Sequence, residues 1–307
     1  MRNAFVETIE KIAEQDDRVV LLVGDLGYKI FDSFKEKFPN RFYNVGIAEA
    51  NMVSMAAGMA KAGFKPYVYS IAPFVTLRCC EHIRNDVAYN RTNVTIVGVG
   101  GGLCYGHNGP THHAIEDIAI MRSIPNMVVA CPSTPQEVNR VMWCLHDNPC
   151  PCYLRLGRGG EPEISEGEMS MIEFGKGIHL YEGKDLTLFS TGNMLPTAIK
   201  VREEIEKRGL MCGVATFPFV KPLDVECIEE IAVWSQNIVT IEEHNINGGF
   251  GGAVAEYLME SNIPVGFMRF GIQDTFAQVS GDQEYLRFLS CLDAKTILEN
   301  ILDTFWE

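Results

Sequence analysis

Short apolar runs alternate with amphipathic segments along this chain, and the alternation predicts its elements. Residues 3–15 place Phe5, Ile9, Ile12 and Ala13 on one helical face, and 18–24 (RVVLLVG) reads as a buried strand. A short helix over 30–38 ends at Pro39, and a strand over 41–45 turns at Gly46 into a second helix. Strands at 66–70, 93–99, 127–130 and 152–155 then alternate with helices at 75–89, 114–123 and 135–146. An acidic stretch with little periodicity follows, and 157–178 reads as a linker. Beyond it the alternation resumes, with strands at 186–190, 211–216, 237–242 and 264–270 and helices at 195–208, 224–233, 251–259 and 294–304. The expected fold class is α/β with two doubly wound domains. A largely parallel six-stranded sheet would fill residues 1–163, and a smaller, mainly parallel α/β domain residues 174–307. Such sheets bind ligands beyond the carboxyl ends of their strands, so the loops after Gly24, Val45, Ser70 and Val99 are the expected site wall.

Composition narrows the partners. With 47% hydrophobic and 21% charged residues, the 307-residue chain can bury two sizeable cores. A net charge of −14 argues against nucleic acid or an anionic membrane as main partner. No apolar run is long enough to span a bilayer, and the amphipathic, acidic start does not resemble a signal peptide, so a cytoplasmic protein is expected. The ten cysteines include no CxxC pair and suit neither a zinc site nor a disulfide framework; they are expected to be reduced and packed.

Two stretches carry unusual chemistry. In NVGIAEANMVSMAAGMAKAG (44–63) a single carboxylate, Glu49, sits on a helix that is apolar on nearly every side. It is either a first-turn acid favoured by the helix dipole or a buried acid that hydrogen-bonds a ligand. In GVGGGLCYGHNGPTHHAIEDIA (98–119) Gly100, Gly101, Gly102, Gly106 and Gly109 accompany His107, His112 and His113, three of the seven histidines. Adjacent histidines cannot readily chelate one metal, and no metal ligands are assigned. His112 is better read as a proton donor or the partner of an oxyanion. Arg155 and Arg158 after the last strand of the first half are candidates for an anionic group, or for ion pairs with the acidic linker. Lys29, near Asp25, is a further anion candidate. The loop NINGGFGGAVAEYL (245–258) lacks the Lys-Ser/Thr of a P-loop and reads as a tight strand-to-helix turn, with Glu242, Glu243 and His244 before it at a subunit contact or site edge. There is no complete magnesium–diphosphate motif: Gly24-Asp25-Leu26 begins like one, but no Asn follows at a suitable distance.

GIAEANMVSMAAGMAKAGFKPYV, GHNGPTHHAIEDIAIMRSIPNMVV and EEHNINGGFGGAVAE together resemble the C-terminal half of the transketolase family, over essentially the whole chain. They also resemble 1-deoxyxylulose-5-phosphate synthase and the β subunits of 2-oxoacid dehydrogenases. The resemblance implies a pyrimidine-binding domain followed by the family's C-terminal domain, as in the second subunit of a split transketolase. It implies thiamine diphosphate as cofactor, with Mg2+ and the diphosphate held mainly by a partner carrying the N-terminal domain, and an α2β2 assembly. Glu49 matches the acid that hydrogen-bonds the pyrimidine and activates the cofactor. Phe74 matches an aromatic stacked on the pyrimidine, while Ile71 and Leu77 stand where transketolases often have aromatics. Asp25 and Leu26 match residues beside the thiazolium. His112 matches the histidine that contacts the oxygens of the donor sugar, and Arg158 a phosphate-binding arginine.

Two departures bear on the substrate. Asn108 stands where transketolases have the Asp of DGPTH, and Gly100 where they carry a phosphate-binding His. The expected reaction is transfer of a two-carbon ketol unit from a ketose, phosphorylated or otherwise modified, to an aldose. Glu49 and His112 would be catalytic, and Asn108, His112, Arg158 and Lys29 would bind substrate. The alternatives are a deoxyxylulose-phosphate synthase-like or 2-oxoacid dehydrogenase-like reaction, or a non-catalytic assembly subunit.

Overall fold

The computed structural model describes residues 1–27, 29–162, 164 and 172–306. Most of the acidic linker core, residues 163 and 165–171, lies outside the described residues. Among the described residues, twelve strands form two sheets. In chain order they are β1 (Val19–Val23), β2 (Phe42–Asn44), β3 (Lys65–Ile71), β4 (Thr95–Val99), β5 (Val128–Ala130), β6 (Cys152–Leu156), β7 (Ile178–Tyr181), β8 (Leu186–Ser190), β9 (Cys212–Thr216), β10 (Phe219–Lys221), β11 (Asn237–Asn245) and β12 (Gly266–Ile272). The first sheet has the order β10-β5-β6-β4-β3-β1-β2, and the second β12-β11-β8-β9-β7.

The α/β, mostly parallel expectation holds, with one change of count. The first sheet has seven strands, because β10 crosses from the second half of the chain and pairs antiparallel to β5. Its sequence, FVK between Pro218 and Pro222, is too short and proline-bound to read as a strand. β7, also absent from the sequence reading, is antiparallel to β9 at the edge of the second sheet. The continuous helix expected over 75–89 is broken. It starts earlier, at Ala72, where Pro73 fits a first turn, and stops at Thr76; a wide π-helical turn, Ile83–Tyr89, follows a short piece at Cys80–His82. The helix Gln283–Leu289 was not anticipated.

The β1 side chains alternate between two cores. Val19, Leu21 and Val23 pack under the helices Arg2–Gln15 and Pro135–Asp147, and Val20 and Leu22 under the helix Glu49–Lys61. The second of these cores continues through Phe189, Phe217 and Phe250, so one apolar body runs from the first sheet into the second half of the chain. A third core fills the far face of the second sheet.

Candidate active site

After β1 the chain goes to β2 at the sheet edge, and after β3 it goes to β4 on the other side. The crevice at the carboxyl ends of β1 and β3 is therefore the point where connections diverge, the usual ligand position in such sheets. Glu49 stands there. It is the first residue of the helix Glu49–Lys61, yet it is only 1% exposed. The two readings of this acid thus merge: it occupies a first turn, and its carboxylate points inward. Ser70, at the end of β3, donates to Oε1 at 3.3 Å. Gly24, just past β1, lines the same spot: a Cβ there would be in ordinary contact with Glu49, 3.4 Å from its Cγ.

Burying a carboxylate requires a partner, and the partner is Arg78, whose Nη1 donates to Oε2 at 2.6 Å. The sequence reading missed Arg78, although it closes the stretch SIAPFVTLR and is the sole basic residue in it. The guanidinium also lies over the Phe74 ring, 5.2 Å from its centroid. Phe74 meets His112 edge-on at 5.2 Å, and His112 meets Tyr105 at 6.3 Å. Arg158 lies over Tyr105 at 5.4 Å. Glu49, Phe74, His112 and Arg158, separate in sequence, therefore form one row at the strand ends, joined by Arg78 and Tyr105.

Other candidates flank the row. Ile71 is buried at the end of β3. Asp25 and Lys29 are exposed, with left-handed φ of 55° and 64°. Asn44 holds Asp25, accepting from its backbone N–H at 3.1 Å and donating to its carboxylate at 3.0 Å. Leu26 packs against the first core. Asn108 is exposed in the turn Gly106–Asn108, on the loop that carries His112. His112 does not directly precede a helix, as the sequence suggested, because the helix begins only at Asp117. His113 is buried, with Nε2 3.4 Å from the Gly106 carbonyl, and burial pushes its pKa down. Gly100 has φ +80°, and a Cβ there would lie 2.1 Å from the Tyr105 ring. Tyr105 thus fills the space that a larger residue at 100 would need.

One expectation needs correction and two are sharpened. Arg155, expected to bind an anionic group or to pair with the linker, is buried and pairs with Asp117, donating through Nε to its Oδ2 at 2.7 Å. Asp117 also accepts from the Tyr153 hydroxyl at 2.6 Å. Glu242, Glu243 and His244, expected at a subunit contact or a site edge, are fully buried at the junction of the two halves, where Glu243 accepts from Leu103 N–H on the loop that carries His112. The strand-to-helix turn after β11 does bind an anion, but it is the protein's own: Glu242 accepts from Phe250 N–H at 2.7 Å and Gly251 N–H at 2.8 Å. Among the described residues no group of three or more His, Cys, Asp and Glu could hold a metal ion, and no helix is long and apolar enough to cross a membrane.

Family models describe the two halves. Residues 1–161 match the transketolase pyrimidine-binding domain and 175–297 the transketolase C-terminal domain. The chain is 36% identical over 299 residues to a subunit of the 6-deoxy-6-sulfo-D-fructose transketolase of Clostridium sp. strain MSTE9, covering 97% of this chain and 92% of that one. It is 35% identical over 265 residues to a subunit of the apulose-4-phosphate transketolase of Phocaeicola vulgatus, covering 86% and 85%. Among solved structures, a split-gene transketolase described as an inactive β4 tetramer superposes with a TM-score of 0.90 at 32% identity, over 100% of this chain and 99% of that one.

Proposed function

Because the chain belongs to the transketolase family, we propose that it is the second subunit of a split transketolase that moves a two-carbon ketol unit from a ketose to an aldose. The family implies dependence on thiamine diphosphate. The observation that carries the proposal is the buried Glu49 carboxylate at the divergence of the strands, beside the Phe74–His112 pair. That donor set fits a pyrimidine: a carboxylate oxygen, Oε1, that among the described residues accepts one long bond from Ser70, at the strand end that also carries the buried Ile71, with the Phe74 ring linked to the same carboxylate through Arg78. When bound, the cofactor supplies the nucleophilic carbon and electron sink for breaking and re-forming the carbon–carbon bond.

This chain's residues do the rest. Glu49 holds the pyrimidine by a hydrogen bond, with Arg78 fixing its other oxygen. Phe74 and Ile71 pack against the pyrimidine, and Asp25 and Leu26 border the thiazolium. His112 and Asn108 orient donor oxygens and exchange protons with them, while Arg158 and Lys29 hold an anionic tail. Tyr105 in the space beside Gly100 replaces one anion-binding group with a ring, which favours a tail other than that of the ordinary sugar phosphates.

The diphosphate and Mg2+ are held by a partner subunit, in an α2β2 assembly working in the cytosol. The exposed apolar side chains of Ile47, 78% exposed, and Leu77 flank Glu49 and Arg78 in sequence and suit a subunit contact. The similar split-gene chain, inactive as a β4 tetramer, supports the need for a partner.

The test is to mix the purified chain with its separately purified partner. Thiamine diphosphate, Mg2+, an aldose acceptor (ribose 5-phosphate) and one of four ketoses would be supplied, xylulose 5-phosphate, fructose 6-phosphate, apulose 4-phosphate or 6-deoxy-6-sulfofructose, with pyruvate and glyceraldehyde 3-phosphate in a parallel run. Turnover is expected in the mixture and not in either chain alone. Full activity of this chain alone would overturn the split arrangement. Carbon dioxide release from pyruvate in place of ketol transfer would favour the synthase-like or dehydrogenase-like reaction.

A further inference from the structure

The long loop that carries His112 is closed at its base by two backbone hydrogen bonds. Gly102 N–H donates to the Ala114 carbonyl at 2.8 Å, and Ala114 N–H to the Gly102 carbonyl at 2.9 Å. Above that base the bonds are local turns, such as Asn108 N–H to the Tyr105 carbonyl at 2.8 Å and His112 N–H to the Gly109 carbonyl at 3.0 Å. Local turns shape a loop but do not aim it. Something outside the loop must fix its position over the strand ends.

The fixing group comes from the other half of the chain. Glu243 on β11 is buried, and its Oε1 accepts from Leu103 N–H, the first residue beyond the base, at 2.6 Å. Gln283 Nε2 donates to Oε1 at 2.8 Å and to Oε2 at 3.0 Å, and Arg287 Nε donates to Oε2. The second leg is tied to the same residue through Arg155, whose Nη2 donates both to the Ala114 carbonyl at 2.8 Å and to the Glu243 carbonyl at 3.0 Å. The fit is close. A Cβ on Gly102, which has φ +68°, would lie 2.3 Å from Glu243 Oε1, and one on Gly106 would lie 2.3 Å from the Gly281 carbonyl. A buried ion pair adds little stability compared with apolar packing of the same volume. A charge-assisted bond does, however, hold its donor at a short, directed distance.

We propose that Glu243, on the second domain, is a positioning residue for the reaction: its carboxylate clamps the base of the Gly102–Ala114 loop and thereby sets where His112 meets the donor ketose. The second domain supplies no described member of the Glu49–Arg158 row, and among its contacts with the loop Glu243 makes the charge-assisted one at the base. The inference rests on the role assigned to His112 in ketol transfer.

Two variants test it. Glu243→Gln keeps the shape and removes the charge, while Gly102→Ala leaves every buried charge in place and wedges the contact itself. In the isolated subunit, amide hydrogen exchange across 103–113 should quicken roughly ten- to hundredfold, with exchange in β1 and β8 unchanged. In the assembly with its partner, KM for the best donor of the four-ketose panel should rise about tenfold or more, while the Kd for thiamine diphosphate stays within about twofold. Should Glu243→Gln fail to fold, Gly102→Ala carries the test. Unchanged exchange in a folded variant overturns the clamp. Faster exchange with an unaltered KM overturns the positioning role. The exchange arm needs no substrate, so failure of ketol transfer in the unaltered assembly would be seen separately from failure of the clamp.

Discussion

Glu49 and Glu243 are both buried carboxylates paired with an arginine, and they differ in what surrounds the arginine. Arg78, the partner of Glu49, is 50% exposed, whereas Arg287, the partner of Glu243, is 9% exposed. Beyond its arginine, Glu49 accepts from Ser70 at 3.3 Å, and Glu243 accepts from both Leu103 and Gln283. A pair with one foot in water can be opened at modest cost, and a pair sealed among satisfied donors cannot. The first arrangement leaves a carboxylate able to take a new partner. The second fixes geometry. Burial alone thus does not distinguish a working acid from a framework acid; the exposure of its counter-charge does.

The largest expected effect falls on the open side of that comparison. Glu49→Ala should lower turnover in the assembled enzyme by about 10²- to 10⁴-fold, measured by steady-state kinetics. The released Arg78 can hydrate, so unfolding free energy should change by only about 1 kcal/mol. Undiminished turnover would place Glu49 with the framework acids.

On the sealed side the effects should be reversed. Asp117→Ala removes the carboxylate partner of the Arg155 guanidinium, whose side chain is only 5% exposed. Burial is the largest influence on Asp117 and opposes its ionised form, yet Arg155, His244 and the Tyr153 hydroxyl together outweigh it and lower the carboxyl pKa. Loss of the pair should cost about 3–5 kcal/mol in urea unfolding. A cost near that of Glu49→Ala would erase the distinction.

A smaller effect should appear as pH dependence. Burial pushes the Glu242 carboxyl up to about 7, despite the Gly251 and Phe250 N–H groups. Between the ordinary carboxyl range and that value, the unfolded chain releases this proton while the folded chain keeps it. Stability from this group is therefore greatest at acid pH and falls as pH rises toward 7. His244, pushed down to about 4 by burial, works the other way below its usual value. The difference between the unaltered protein and Glu242→Gln isolates the first group. It should drift in favour of the variant by up to about 1.4 kcal/mol per pH unit between roughly pH 5 and 7, read from urea unfolding across that range. A flat difference would mean that Glu242 is already ionised.

Much of this was legible in the sequence, because the signals were local. An isolated acid on an apolar helix marked Glu49, and glycines crowded beside histidines marked the loop of His112. The partners were not legible. Arg78 lies 29 positions from Glu49, and the pairing depends on how the helices after β2 and β3 settle over the same strand ends. Arg155 looked like an anion receptor because Asp117 sits two strands away in the chain. The triplet Glu242-Glu243-His244 looked like a surface feature because three polar residues in a row seldom lie fully inside; here Glu243 and His244 accept from Leu103 and Ala119 across the junction, and Glu242 accepts from Phe250 in its own half.

The strand β10 has a consequence for anyone who would cut this chain. The linker region looks like the natural place to divide it, yet a fragment ending there would lack the ribbon that covers β5. The Cys131 N–H bond to the Pro218 carbonyl, 2.7 Å long, would be lost with it. Such a fragment would offer a bare, apolar sheet edge to its neighbours and tend to aggregate. The two halves are better treated as a single indivisible part, to be grafted, swapped or redesigned only as a whole.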